Sequence, residues 1–184
     1  MKTIIFTFLT VFSFALVHAQ YHEGTVYFKG DSTSTGLIRV KTFEGIKFKR
    51  SKETEPVDYN REQIQGYDVK GWQYRYIKKK PGATPKLYKL LIDGKVSLYA
   101  DTPKSPSHLI ADSPPNSVSI MINPYEIYYL KIEDMLYKVV NMLKKKHIEA
   151  LKDCPILMEK IKNKEFKKWE VYDIVEFYNY DCQP

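Results

Sequence analysis

Ser105, Ser107, His108 and Asp112 stand in one short stretch and supply the residue types of a nucleophile, a base and an orienting carboxylate. Acyl transfer by such a set needs a hydroxyl on the imidazole and the imidazole on the carboxylate, a geometry that adjacency does not provide. Serine, aspartate and histidine are also ordinary loop residues, so a small hydrolase ranks behind the other readings of this chain. His22 and His147 lie far from this stretch and from each other. There is no G-x-S-x-G elbow, H-E-x-x-H, C-x-x-C or Gly-rich phosphate loop. No catalytic, cofactor-binding or metal-ligating residue is therefore assigned, and no cofactor is expected.

Three other groups have chemical or binding potential. Cys154, in "LKDCPILMEK", and Cys182, close to the C-terminus, are the two cysteines. They can pair or remain two free thiols, or Cys154 can share a metal with His147, a site that would need further ligands. Lys78-Lys79-Lys80 attracts anions, or is simply a solvated strand end before Pro81. The tyrosines include Tyr74, Tyr76, Tyr88, Tyr99, Tyr125, Tyr128 and Tyr129. They can stack on sugars or anchor interfaces, or serve only as strand formers. Lys78, Lys79, Lys80, Tyr74, Tyr76 and Tyr128 make up the candidate interaction surface.

The elements that must position these groups begin after residue 19. "MKTIIFTFLTVFSFALVHAQ" reads as a signal peptide, with Lys2 as its positive start, an uncharged apolar run from Ile4 to Val17 and Val17-His18-Ala19 before the cleavage point. The apolar run is short for a membrane span of about 20 residues. The mature chain is expected to start at Gln20, to be periplasmic or secreted, and to have no transmembrane span. Loss of Lys2 lowers the net charge from +7 to +6, with 28 basic against 22 acidic residues. A basic exported protein meets envelope proteins and anionic glycans, and nucleic acid is the poorest of the candidate partners.

From residue 20 to 140 the hydrophobic period is two, which predicts an antiparallel β domain as a meander or barrel-like body. Its strands are read at "GTVYFKG", "GLIRVKT" after the turn-rich "DSTST", "GIKFKR", and "IQGYDV" joined to "WQYRYIK" at Lys70-Gly71. A hairpin is read in "KLYKLLIDGKVSLYAD", another strand in "VSIMI", and a last hairpin turning near Glu133-Asp134. Asp93-Gly94 suits a type I′ turn. That turn predicts the pairs Leu91–Val96, Lys89–Leu98, Leu87–Ala100 and Tyr88–Tyr99. Thr102 to Ser117 reads as a long loop rich in Pro and Ser.

Residues 141–184 change to a helical period and predict a helical subdomain packed on the β domain. Leu143, His147, Ala150, Leu151 and Cys154 form one stripe. Pro155 opens a second helix, with Asp153 or Cys154 as its cap, carrying Leu157, Met158 and Ile161 inward to about Asn163. A third begins near Lys168 and carries Val171, Ile174, Val175 and Tyr178. If the last two helices are antiparallel, the start of one meets the end of the other. A Cys154–Cys182 disulfide then follows for an oxidising compartment.

The order of "FEGIKFKRSKE", "YNREQIQGYDVKG", "YKLLIDGKVSLYAD" and the tail "DCPILMEKIKNKEF…IVEFYNYDC" resembles a family of small secreted Bacteroidetes-type proteins of uncharacterised function. The resemblance implies export and a β-rich body with a helical tail carrying two cysteines, and it implies no catalytic residues. Ser105 to Asn116 looks like an insertion relative to that pattern. The expected function is a non-enzymatic, macromolecule-binding or structural exported component. The alternative is a lipocalin-like carrier, although "EGTVYF" lacks the G-x-W of that class and Trp72 lies mid-chain.

Overall fold

The computed structural model describes residues 21–42, 44–101 and 127–182. The signal segment, "VSIMI" and the 102–117 stretch with its Ser105, Ser107, His108 and Asp112 lie outside these residues. Ten strands form one antiparallel sheet: β1 (His22–Phe28), β2 (Thr33–Val40), β3 (Ile46–Lys49), β4 (Val57–Tyr59), β5 (Ile64–Val69), β6 (Trp72–Ile77), β7 (Lys86–Ile92), β8 (Val96–Asp101), β9 (Ile127–Ile132) and β10 (Met135–Val140). Three helices follow: α1 (Lys145–Glu149), α2 (Pro155–Lys162) and α3 (Val171–Tyr180). Strand order is β10-β9-β8-β7-β6-β5-β1-β2-β3-β4. Among the described residues the sheet is open, with β4 and β10 as its edges. It is a meander interrupted once, where the chain leaves the β4 edge and returns to place β5 against β1.

The alternation that predicts each strand also sets its buried side. Ile46 and Phe48 are buried while Lys47 and Lys49 are half-exposed. Lys70 and Gly71 both have positive φ, 52° and 74°, and Val69 pairs with Trp72. This is the two-residue I′ loop, made possible by a residue with no Cβ at its second position. Glu133-Asp134 joins Ile132 to Met135 in another two-residue loop, in which only Glu133 has positive φ, 50°.

The β7–β8 hairpin differs from the predicted register. Tyr88 pairs with Asp101, Lys89 with Ala100, Leu90 with Tyr99 and Ile92 with Leu98, with an irregularity between Leu90 and Ile92. Neither Asp93 nor Gly94 has positive φ, so the loop is not type I′. Gly94 is needed for another reason: a Cβ there would stand 2.6–2.8 Å from the Asn179 side chain. Asn179 fills the place of a strand neighbour. Its Oδ1 accepts from the Val96 N–H at 3.0 Å and its Nδ2 donates to the Val96 carbonyl at 2.8 Å. A short strand that the sequence reading omits, β4, extends the other side of the sheet by pairing with β3.

The two halves of the sheet close their cores differently. Val26, Ile38, Ile46, Phe48, Ile64, Tyr67, Val69 and Tyr74 form one buried cluster made only of strand residues. Tyr76 of β6 reaches the Gly45 backbone beside β3, although four strand spacings separate β6 from β3 in the sheet order. That approach requires the β1–β6 half to curl around its own inner face. In the other half, Val96, Leu98, Ala100, Leu130 and Val139 bury against Leu143, Leu151, Leu157, Val171, Ile174, Val175 and Tyr178.

The predicted first helical stripe is only partly one helix. Leu143, His147, Leu151 and Cys154 are all buried, but α1 ends at Glu149 and the chain turns before α2. The residue before a proline avoids the helical region, and Cys154, at φ −108° and ψ 93°, obeys that restriction. It thereby becomes the N-cap of α2, its Sγ accepting from the Leu157 N–H. Val171, Ile174, Val175 and Tyr178 of α3 face inward as their spacing predicts.

Candidate binding edge

Cys154 and Cys182 form a disulfide, with Cα atoms 5.6 Å apart, tying the start of α2 to the residues just after α3. Asp153 adds a second tie there. It accepts from the Tyr178 hydroxyl at 2.8 Å and pairs with Lys95 of the β7–β8 loop. Those partners hold its carboxyl below the usual range, Lys95 contributing most.

The candidate interaction surface is divided by the fold. Tyr74 and Tyr128 are core residues, so a binding face built on them is not available. Both lie on the sheet side that the curl and the helices cover. Tyr76 is half-buried, and burial pushes both Tyr74 and Tyr76 up to about 12. Tyr88, Tyr99 and Tyr129 are on the opposite side, and they too are buried, stacked edge to face. Lys78, Lys79 and Lys80 are exposed just past the end of β6, as a solvated strand end should be, with the Lys79 ammonium 5.3 Å from the Tyr129 ring centre.

The histidines do not converge. His22 opens β1, whereas His147 is fully buried on α1, its Nδ1 accepting from the Lys144 N–H at 3.0 Å. Among the described residues no group of three or more His, Cys, Asp or Glu is arranged to hold a metal ion. No helix of those residues is long and apolar enough to cross a membrane.

What remains open is the sheet's edge, and its two ends differ. The β4 edge is three residues long and follows Pro56, which has no N–H to offer. Asp58 in its centre pairs with Lys41 at 3.1 Å and Lys47 at 3.4 Å. Short length, proline and charge are the usual means of keeping an edge from pairing with another chain. The β10 edge has none of the first two and a single charge, Lys138. Met135 is 58% exposed, Val140 44% and Met142, just beyond the strand, 46%. Among the described residues, the backbone of β10 pairs with β9 and, at one bridge, with Met142. Sequence reasoning missed this edge because alternation identifies a strand without saying whether it has one neighbour or two. The one available signal was local: a final hairpin followed by a change to helical period leaves its second strand with no later strand to pair with.

No family model, curated protein or solved structure matches the chain.

Proposed function

We propose that the protein is an exported, non-enzymatic binding component that engages another polypeptide by adding one of its strands to β10. The observation that carries this reading is the contrast between the two edges: β4 is blunted and β10 presents six residues with exposed Met135 and Val140. Strand addition draws its affinity from main-chain hydrogen bonds and its selectivity from alternate side chains, and needs no pocket. Export is supported by the apolar N-terminal run, by the resemblance to secreted proteins and by the Cys154–Cys182 bond, which suits an oxidising compartment. The carrier reading draws no support from a sheet whose edge strands, among the described residues, do not pair with each other.

A photo-crosslinking side chain at position 140, compared with one at position 57 on β4, tests the proposal in the exported protein in its own compartment. A discrete polypeptide adduct from 140 and none from 57 is the expected result. Equal yields from both positions, or no adduct from 140, would overturn it.

A further inference from the structure

The charges flanking β10 are sorted along its length. Glu133 and Asp134 form the turn before it, and Lys144, Lys145 and Lys146 follow Leu143 after it. Lys138 lies between, exposed. None of these six residues takes part in an ion pair among the described residues, whereas Asp58, Asp101 and Asp153 each have a lysine partner. An edge that is acidic at its start and basic at its end is complementary to itself when reversed.

Resting on the strand-addition reading above, we infer that the occupant of this edge is a second copy of the chain, pairing β10 with β10 antiparallel about a two-fold axis at Tyr137. The axis must stand perpendicular to the sheet for the strands to run opposite ways while the helix-covered faces stay on one side. Residues directly opposite then share a face, so the register must keep odd with odd and even with even. Centring on Lys138 sets two ammonium groups opposite each other, which is unfavourable. Centring on Tyr137 sets Leu136 opposite Lys138 of the second copy and Met135 opposite Val139.

In that register the diagonal neighbours of Lys138 on the same face are Asp134 and Lys138 of the second copy, so the two lysines stand diagonal and not directly opposite, and each has an acidic residue on its other side. Diagonal neighbours are about 7–8 Å apart at Cα, within reach of a lysine. Asp134 of each copy comes to the Val140 end of the other's β10, the end from which the lysine run departs. The Lys138–Asp134 contact occurs twice by symmetry. Two ten-stranded sheets become one continuous sheet, and the exposed Met135 and Val140 are covered. An edge of six residues is small beside the roughly 1,200–2,000 Å² of a standard interface, so the dimer forms and dissociates with concentration.

The test is charge reversal, read by sedimentation of the mature protein over a concentration series. Wild type is expected to dimerise. Lys138→Glu and Asp134→Lys should each weaken the dimer about tenfold, because two symmetric attractions become repulsions. The double reversal should recover wild-type association, an outcome that loss of folding cannot produce. Thermal unfolding of each variant monitors the fold directly. A monomer at every concentration, or a dimer indifferent to both single reversals, would overturn the inference. The crosslinking separates the two proposals: an adduct from position 140 to a different polypeptide refutes the second copy and leaves the binding edge standing.

Discussion

At the scale of single residues, Asn179 shows how a helix side chain can complete a sheet. It meets both polar groups of the Val96 backbone, where β7 has become irregular and offers no partner. A buried backbone group left unpaired costs about 1–3 kcal/mol. Asn179→Ala should therefore destabilise by about 2 kcal/mol. Asn179→Asp should not rescue it, because a carboxylate accepts from the Val96 N–H but cannot donate to the carbonyl. Gly94→Ala forces a Cβ against the same amide and should also destabilise. Residues sharing a contact are not additive. The pair Gly94→Ala with Asn179→Ala should cost less than the sum of the singles in denaturant titration, and strict additivity would rule out the close approach. His147 gives a pH dependence. Burial lowers its pKa first, and Lys146 and Lys144 lower it further, from an ordinary value of 6.5. The unfolded chain thus binds the proton more readily, so this contribution to stability is present above pH 6.5 and is lost as pH falls through the lowered folded value. His147→Asn keeps an acceptor for the Lys144 N–H and removes the titration. Its stability should change less than wild type's as pH falls below 6.5, and an unchanged slope would show that other groups govern that range.

Among the elements, α3 is held both by packing and by the covalent tie just after it. Its inner face contributes Val171, Ile174, Val175 and Tyr178 to the core. The Cys154–Cys182 bond spans a sequence separation of 28 and restricts the unfolded tail. On the chain-entropy account that is worth about 3–4 kcal/mol. Cys182→Ser should lower the melting temperature and make the chain beyond Lys164 susceptible to protease while β1–β6 stay protected. Equal susceptibility with and without the bond would show that packing alone holds α3. These elements were legible for a local reason: the stripe of α3, the proline that opens α2 and the Lys70-Gly71 loop are written within a few residues. Asp93-Gly94 was misread because its glycine answers to Asn179, far along the chain, and not to its own turn. Tyr74 and Tyr128 were misplaced on the surface because tyrosines occur on both sides of these strands. Alternation cannot tell which side a curl or a helix will cover.

The whole molecule is one sheet with two kinds of closure, and the strand order that produces it was not legible. Periodicity reports strands but not neighbours, so the return of β5 to β1 could not be read. That return places β1 centrally, and the β1–β6 half then curls over a core of its own strands. The β7–β10 half depends on residues after 140. Leu151, Leu157, Ile174 and Val175 are fully buried there, and each such side chain is worth about 1.5–3 kcal/mol of burial. Ending the chain after Asn141 removes that cover from Val96, Leu98, Ala100, Leu130 and Val139, while the cluster around Ile38 and Tyr67 keeps every neighbour it has. Local stability should then separate along the sheet. In native-state hydrogen exchange, the truncated protein should lose protection across β7–β10 and bind an apolar dye, yet keep protected amides in β1, β2 and β5. Uniform loss of protection would mean that the curled half cannot stand without the helices. Uniform retention would mean that the helices are not what closes the second core.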